Sequence, residues 1–510
     1  MTSGMPRELE GIAARDGASL EPAVSVTRTA LRLRPDASRV VARLFVPGQE
    51  GLLDGESRAG SVVERILALD DATAKVALAG VHERFAGRHR DLDGLLEEHF
   101  ELVAHRFSQP LELSDERRRL VGSYFTQELA VEAAALCNPS LVAHPDQSGT
   151  RHGELRCVMS LRAIGEGHVS SVEFRTGVAS VGGSFLLDEP GRHLAVGRTV
   201  ARRHDREHLR RALRDRGAEG SSATYVLDSL PETFDTAELE SALRALRDQV
   251  VTRRDAEEAI EGVRLAVAAD YAVTFPECAS ISERVLLPST PAESRGMEDA
   301  RFVRFVEDDG SVTYLATYTA YDGARVAPHL LETADFTTFR STQLTGTAAA
   351  NKGMALFPRR IGGRFVALSR WDREGNSLVT SDSLTVWEDP VPFERGSRAW
   401  DLVQRGNCGS PIETAAGWLV LTHGVGPMRS YSIGAELLDL ADPTRVLGQL
   451  AGPLVVPAAD ERDGYVPNVV YSCGSLLHAG TLVVPYGMSD ASVGILTVEL
   501  DALLERLLTG

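Results

Sequence analysis

The segment GSVTYLATYT, residues 310–319, has the pattern of one β-strand that follows a glycine turn. Its apolar and polar side chains alternate, as they do where a strand buries one face. The same form returns in GELRCVMSLR from Gly153, GRFVALSR from Gly363, GWLVLTHG from Gly417 and GTLVVPYG from Gly480. The last four copies lie about 50–60 residues apart, and repeats near this length with several strands each are typical of propeller blades.

These five copies predict a mainly β fold, a five-bladed β-propeller, over residues 137–510. A Greek-key sandwich is the structural alternative, but it would not give this recurrence. The stretch at 202–270 interrupts the strands: Asp235 and Glu238 have the spacing of a capping box, and an apolar stripe follows them. We therefore predict a helical insertion there.

The N-terminal part, residues 1–136, is predicted to be mainly helical. Ser114 followed by two acids marks a helix start, and we expect that helix to run through YFTQELAVEAAALC and to stop at Asn138-Pro139. This region could pack beside the propeller, form a wall on the acceptor side of the site, or form a contact between the subunits of an oligomer. A homo-oligomer is one of the arrangements this leaves open.

Composition and charge exclude several classes of protein. Hydrophobic residues make up 43% and charged residues 25%, as in globular proteins, and the net charge of -18 argues against a nucleic-acid or anionic-membrane partner. There is no signal-like apolar run at the N-terminus and none long enough to span a bilayer. The five cysteines are scattered without a CxxC pair. A reducing, cytoplasmic location is therefore expected, with neither a disulfide framework nor a zinc site.

The ends of the repeated strands carry polar residues that can bind an anion. In a propeller, equivalent strand ends surround one axis, so these side chains are expected to converge on a central pocket. Arginine binds phosphate oxygens in a fork, and a protonated histidine and tyrosine hydroxyls add donors. The residues concerned are Arg162, Tyr318 with Tyr321, Arg370, His423 and Tyr486, and Lys352 could add a point charge.

The segment SRGMEDARF, residues 294–302, places two adjacent acids between two arginines at a strand entrance. Because neighbouring side chains on a strand point to opposite faces, Glu298 and Asp299 are not expected to face one pocket together. One of them is expected to be held by a neighbouring arginine. A carboxyl fixed by a sheet suits a general acid, while the alternative is a solvated charged turn.

GMEDARF at 296–302 resembles the GxEDPR motif of glycoside hydrolase family 130, the inverting mannoside phosphorylases and related β-mannosidases. Further segments resemble that family's signatures in the same order and cover about 138–200 and 275–505. They are Asn138-Pro139, NKGMALFPRRIGGRFVALSR, GSPIETAAGWLVLTHGV, YSIGAELLDLADPTRV, GYVPNVVYSCG and PYGMSD. Two departures are Ala300, where the motif has proline, and PYGMSD, where many members have a YYGAAD-like run.

The resemblance implies a five-bladed propeller with a central site and assigns roles to residues. Asp299 matches the general acid, whose proton is thought to pass through a sugar hydroxyl. The residues that look like the phosphate-binding set are Lys352, Arg370, His423 and Tyr431, with Arg162 as a further member. Those that match positions near the mannosyl unit are Asn138, Arg301 and Asp490, and Glu298 and Tyr318 are added as substrate-binding candidates.

Phosphorolysis and hydrolysis make different demands on such a site. Inverting hydrolysis needs a second carboxylate to activate water, whereas phosphate needs only cations that hold it in line. The cations favour a β-mannoside phosphorylase that gives α-mannose 1-phosphate with inversion. An inverting β-mannosidase, with a base among Glu413, Glu461 and Asp372, is the alternative, and a non-catalytic sugar-binding propeller is a third. The expected partners are a β-mannoside oligosaccharide and inorganic phosphate as co-substrate, with no metal or organic cofactor.

Overall fold

The computed structural model describes residues 24–47, 58–104, 112–249 and 253–509. Its secondary structure is mainly β with some helices, so that part of the fold prediction is confirmed. None of the helices in these ranges combines the length and the apolar character that crossing a bilayer requires. The division into domains at residue 136 stays a prediction.

The described residues up to Tyr124 contain two strands and four helices, and the helices pack around an apolar core of their own. Ser114 caps α4 by accepting a hydrogen bond from the backbone N–H of Arg117 at 3.4 Å. The elements are β1 (Val26–Arg28), β2 (Val40–Leu44), α1 (Arg58–Leu67), α2 (Asp71–Phe85), α3 (Leu92–Ala104) and α4 (Asp115–Tyr124).

The expected continuation of α4 through residue 137 is wrong. The chain leaves the helix at Tyr124 and enters β3 (Thr126–Ala130) and then β4 (Ala135–Ala143). β3 pairs antiparallel with β2, so its backbone hydrogen bonds are made to a distant segment. Helix propensity is a weak preference that such tertiary pairing overrides.

The next strands belong to the sheets and lead into the helical segment. They are β5 (Glu154–Ile164), β6 (Ser170–Ser180), β7 (Phe185–Leu187), β8 (Ala195–Val196), β9 (Arg198–Val200) and β10 (His204–Asp205). The helical segment consists of α5 (Arg206–Asp215), α6 (Ser221–Ser229), β11 (Thr233–Phe234), α7 (Thr236–Gln249) and α8 (Arg253–Ala268). These helices share a separate apolar core, and Asp235 and Glu238 bond to each other's backbone N–H at 2.9 Å, which is a capping box.

The remaining elements are almost all strands, and one helix follows the last of them. They are β12 (Tyr271–Thr274), β13 (Arg284–Leu286), β14 (Gly296–Val306), β15 (Val312–Tyr321), β16 (Val326–Thr333), β17 (Thr338–Gln343), β18 (Ala355–Leu356), β19 (Phe365–Ser369), β20 (Gly375–Ser381), β21 (Val391–Arg395), β22 (Gln404–Asn407), β23 (Ile412–Thr414), β24 (Gly417–Val425), β25 (Tyr431–Leu438), β26 (Val446–Gln449), β27 (Val470–Tyr471), β28 (Leu476–His478), β29 (Thr481–Met488), β30 (Ser492–Glu499) and α9 (Leu500–Thr509).

The strands pair mostly with their neighbours in sequence. A 12-stranded sheet holds β4–β5–β6, with β7, β8 and β13 beside them, and β14–β15–β16–β17 with β12 and β9. One parallel bridge, between Gly296 of β14 and Ser170 of β6, joins its two halves. The other large sheets are β18–β21, β22–β26 and β27–β30 with β1, and two-stranded sheets form from β2–β3 and from β10–β11.

Each repeated segment forms one strand, and these strands are β5, β15, β19, β24 and β29. The apolar core lies between successive sheets: one buried cluster joins Leu419 and Ile433 of β24–β25 to Val484 and Leu496 of β29–β30. Since each sheet packs its apolar side chains against the next, the ends of their strands are held close together.

Candidate active site

Strand ends and loops from every large sheet line one cavity of about 460 Å³. Eight of the eleven predicted site residues lie on its wall, namely Asn138, Arg162, Asp299, Lys352, Arg370, His423, Tyr431 and Asp490. Further lining residues are Val326, Asn351, Arg373, Gln404, Arg429, Val466, Val469 and Tyr471. The expected convergence of strand ends therefore brings most of the predicted residues together.

Asp299 reaches the cavity because β14 is irregular at this point. The strand register shifts between Glu298 and Arg301, and Asp299 has φ 58°. Oδ1 of Asp299 accepts a hydrogen bond from the side-chain amide of Asn138 and lies 3.4 Å from Nη1 of Arg162. Burial acts to raise the pKa of Asp299, but the charges of Arg162, Arg301 and Lys352 together hold it below its ordinary value. The carboxyl is therefore ionised near neutral pH.

Glu298 lies beside the cavity and binds two of its cations. Its Oε1 accepts from Nη2 of Arg162 at 2.5 Å, and its Oε2 pairs with Nζ of Lys352. The two acids thus differ in their contacts: Glu298 pairs with Arg162 and Lys352, neither of which is its neighbour in sequence, and Asp299 faces the cavity. Glu298 is 5% exposed and is absent from the cavity lining. It positions Arg162 and Lys352.

Arg301 is buried and lies outside the cavity lining. Its Nη1 donates to the backbone oxygen of Asp299 at 2.8 Å, and its Nη2 donates to the hydroxyl of Tyr471 at 2.7 Å. Burial opposes its charge, but nearby acidic groups, Tyr471 first among them, raise the pKa of Arg301. The guanidinium therefore supports the strand turn that carries Asp299.

Arg370 and His423 approach each other across Gly406. A Cβ on Gly406 would lie 2.5 Å from Cδ of Arg370 and 2.6 Å from Cε1 of His423, so only glycine fits between them. The side-chain amide of Gln404 lies against the Arg370 guanidinium. Nε of Arg370 is buried without a hydrogen-bond partner in the described part of the chain. A buried cationic donor without a partner suits an anion site.

His423 is fixed by its backbone contact and by two aromatic rings. Nδ1 lies 3.1 Å from the backbone oxygen of Asn407, and the ring stacks on Tyr431 and tilts against Tyr471, with centroids 6.1 and 4.9 Å away. Burial, followed by the charges of Arg370 and Arg301, lowers the pKa of His423 well below its usual value. The expectation of a protonated histidine is therefore wrong, because two neighbouring guanidinium groups disfavour a further positive charge.

Asp490 is the second carboxyl on the cavity wall. It follows Ser489, and both have φ 48°. The Ser489 hydroxyl donates to the backbone oxygen of Glu461 at 2.6 Å, which fixes this turn. Burial raises the pKa of Asp490 to about 6, with Arg162 acting to lower it and Asp299 to raise it. The cavity thus holds one carboxyl with a lowered pKa and one with a raised pKa.

Tyr318 is directed away from the cavity. Its hydroxyl donates to Oε1 of Glu293 at 2.5 Å and lies 2.8 Å from Oγ of Ser341 within a buried cluster. The side-chain hydroxyl of Thr317, the residue before it, donates to the backbone oxygen of Met354. No residue of β15 is among those that line the cavity. Tyr318 therefore does not join the predicted substrate-binding set.

The three acids considered as hydrolytic bases also lie outside the cavity lining. Glu413 pairs with Arg359 at 2.6 Å, and Asp372 pairs with Arg395 at 3.3 Å. Glu461 accepts hydrogen bonds from Arg28 at 3.1 Å and from the Tyr486 hydroxyl at 2.5 Å. Each of these carboxylates therefore has an arginine partner and lies outside the cavity lining.

Several lining residues were not predicted. Tyr471 lies within the quoted segment GYVPNVVYSCG, and its strand position could have been found by the same reasoning as the other strand ends. Arg373 and Arg429 lie on loops and have φ 69° and 56°, for which the sequence carries no signal. Among the described residues, no group of three or more His, Cys, Asp or Glu side chains is arranged to hold a metal ion.

Comparisons with known proteins identify a family and several relatives. A family model, Glyco_hydro_130, described as beta-1,4-mannooligosaccharide phosphorylase, matches residues 249–508. The chain is 31% identical over 229 residues to a 1,2-beta-oligomannan phosphorylase of Thermoanaerobacter sp. (strain X514), covering 43% of this chain and 74% of the relative. It is 32% identical over 236 residues to a Beta-1,2-mannobiose phosphorylase of Listeria innocua serovar 6a, covering 44% and 63%.

Among solved structures, the Beta-1,2-Mannobiose phosphorylase from Listeria innocua in complex with beta-1,2-mannobiose is similar, with a TM-score of 0.43 and 22% identity, covering 74% of this chain and 93% of that chain. The family match spans just over half of the 510 residues. Together with the first relative, it shows that the protein belongs to glycoside hydrolase family 130.

Proposed function

We propose that the protein cleaves a β-mannoside with inorganic phosphate, with inversion, and gives α-mannose 1-phosphate. The observation that carries this proposal is the composition of the cavity wall: Asp299 shares it with Arg162, Lys352 and Arg370. Phosphate is already an anionic nucleophile, so cations that hold it in line are sufficient. The names of the relatives, which are mannoside phosphorylases, support the same reaction.

In this proposal Asp299 is the general acid. The C1–O bond to the leaving sugar breaks, a phosphate oxygen forms a bond to C1 from the opposite face, and the proton of Asp299 reaches the leaving oxygen. Asp299 is ionised in the structure, so it must gain a proton before the reaction. A bound phosphate dianion would partly neutralise Arg162 and Lys352 and thereby raise the pKa of Asp299.

The proposal assigns the other predicted residues of the cavity wall to phosphate or to the sugar. Lys352, Arg370, His423, Tyr431 and Arg162 bind phosphate, and Asn138 and Asp490 contact the mannosyl unit. No cofactor other than the co-substrate phosphate is proposed. The described cysteines are all free, which supports a reducing, cytoplasmic location.

We also infer that the sheets form five propeller blades. The 12-stranded sheet is joined by a single bridge between Gly296 and Ser170, so it divides naturally into two units. These two and the three other large sheets make five, and each contains one of the repeated segments. This arrangement would explain why strand ends from all five line one cavity.

An inverting β-mannosidase is the second candidate, and Asp490 is the observation that favours it. It is a second carboxyl on the same wall as Asp299. Inverting hydrolysis uses such a pair, one as acid and one as base. With a pKa of about 6, Asp490 could serve as a base above that pH.

Product analysis with and without phosphate separates the candidates. The panel contains β-1,2- and β-1,4-linked mannobiose and mannosyl-glucose, because the relatives and the family description differ in linkage. Mannose 1-phosphate that forms only with phosphate, and is lost in Asp299→Asn and Arg370→Ala, supports the phosphorylase. Equal release of free mannose in both tubes would show hydrolysis, and Asp490→Asn would then be the next variant. No release from any substrate would favour a non-catalytic sugar-binding propeller.

A further inference from the structure

The backbone contact of His423 fixes which ring nitrogen carries the proton. A backbone oxygen can only accept, so the contact of 3.1 Å between Nδ1 and the oxygen of Asn407 requires a hydrogen on Nδ1. In a neutral imidazole the other nitrogen, Nε2, then carries a lone pair and is an acceptor. Within the described residues Nε2 has no hydrogen-bond partner, and the ring lines the cavity, so this lone pair is available to a bound group.

The surroundings keep the ring neutral. Arg370 lies across Gly406 from the ring, and Arg301 donates to the hydroxyl of Tyr471, whose ring packs on that of His423. Asp299 is the carboxylate that acts in the opposite direction, but its effect is smaller than those of burial and the two arginines. The second ring that faces His423 is that of Tyr431.

The other groups around His423 are donors. Nε of Arg370 is buried without a partner in the described part of the chain. The Tyr471 oxygen already accepts from Arg301, so its own hydrogen is free to be donated. The Tyr431 hydroxyl can also donate. An anion placed against the His423 ring therefore meets these donors and the acceptor Nε2, while the carboxyls of Asp299 and Asp490 lie on the same cavity wall.

We propose that Nε2 of His423 accepts a hydrogen bond from a protonated oxygen of the bound anion, so that the site takes hydrogen phosphate and rejects sulfate. Near neutral pH inorganic phosphate carries at least one P–OH group, and arsenate carries at least one As–OH group. Sulfate carries no hydrogen at this pH. Sulfate would place an oxygen lone pair against the lone pair of Nε2 and leave a buried acceptor unpaired. The inference rests on the proposed function, since it concerns the phosphate of that reaction.

The test is isothermal titration calorimetry of the full-length protein with phosphate, arsenate and sulfate at equal ionic strength and near neutral pH. Phosphate and arsenate are expected to bind with similar affinity. Sulfate is expected to bind at least about 30-fold more weakly, the factor for an unpaired buried acceptor. Sulfate affinity within about threefold of phosphate would overturn the inference and leave the phosphorylase intact. Binding of none of the three anions, together with hydrolysis of a mannoside, would overturn both.

Two variants distinguish the acceptor role of His423 from the donor role of Tyr431. His423→Phe keeps a ring between the two tyrosines but removes the lone pair, so phosphate affinity should fall about 10- to 100-fold, and the ratio of phosphate to sulfate affinity should approach one. Tyr431→Phe removes only a donor, so both anions should weaken together and the ratio should persist. A ratio that His423→Phe leaves unchanged contradicts the inference, and the wild-type comparison is decisive even if that variant fails to fold.

Discussion

The side-chain amide of Asn138 donates a hydrogen bond to Oδ1 of Asp299, although 161 positions separate the two residues in the chain. Each lies at a register shift of its strand, and each has a left-handed backbone, with φ 49° and 58°. Two adjacent strand irregularities thus aim both side chains into one cavity. Backbone strain of this kind persists where the surrounding contacts hold it, and it occurs at functional sites.

This contact gives the first prediction. Asn138→Gly removes the amide but tolerates the left-handed backbone, so it should lower kcat by about 10- to 100-fold through loss of orientation. Asp299→Asn, which removes the acid, should lower kcat by at least about 1,000-fold under the same assay, at the scale of general acid catalysis. A kcat for Asn138→Gly equal to that of the wild type would show that the contact does not orient the acid.

The second prediction concerns pH. General acid catalysis needs protonated Asp299, so activity should fall as pH rises through its pKa, which Arg162, Arg301 and Lys352 hold low against the effect of burial. Phosphate neutralises these cations and raises that pKa. The basic limb of the rate profile should therefore lie at higher pH when phosphate is saturating than when it is scarce. Profiles of mannoside turnover at two phosphate concentrations check this, and limbs that coincide would refute the coupling.

The third prediction uses the close approach at Gly406. In Gly406→Ala, the new Cβ would lie 2.5 Å from Cδ and 2.6 Å from Nε of Arg370, so the guanidinium must move. We expect the KM for phosphate to rise by about 10-fold or more, the scale of a lost charged hydrogen bond. Gly452→Ala is the matched control, because a Cβ there meets nothing within 4 Å. Equal phosphate KM values in the two variants would contradict the proposed anion site.

The fourth prediction concerns the support of β22, the strand that carries Gly406. Arg405 is 1% exposed and lies 2.7 Å from Asp401, 3.0 Å from Glu394 and 3.1 Å from Glu436. Arg405→Met would remove the most buried cation of this acidic cluster and leave Arg398 near Asp401, which should lower the free energy of unfolding by about 3–5 kcal/mol. Urea denaturation measures this loss.

The control for Arg405 is an exposed ion pair of the same type. Arg364 lies 3.2 Å from Asp382, and its side chain is 48% exposed. Arg364→Met should change the free energy of unfolding by no more than about 1 kcal/mol, as is usual for surface pairs. Similar losses in the two variants would mean that the Arg405 cluster does not stabilise the fold beyond an ordinary surface contact.

The strands and much of the site could be predicted because both follow from the alternation of apolar and polar residues along the repeated segments. The repeat from Gly363 places Arg370 just after β19, and the repeat from Gly417 places His423 in β24, where both line the cavity. Alternation alone did not identify the position of Tyr318, because its hydroxyl is bonded to Glu293 inside a buried cluster and no residue of β15 lines the cavity.

Other features depend on contacts that no local pattern carries. The left-handed backbones of Asn138 and Asp299 are set by the strands around them, since neither is a glycine. The lowered pKa of His423 results from burial and from Arg370 and Arg301, which come from other parts of the chain. The helix expected beyond Tyr124 gives way to β3 because β2 is available to pair with it. In each case tertiary structure overrides the local preference.

The pairing of β1 with β30 has a consequence for the order of folding. Val26 lies opposite Val498, and Arg28 reaches Glu461, 433 positions away. During synthesis, β1 leaves the ribosome long before its partner exists, so the last sheet can be completed only after residue 499 has emerged. Contacts of such long range close slowly. We expect the earlier sheets to form while β1 is still unpaired. The pairing of β1 with β30 is then the last step of folding.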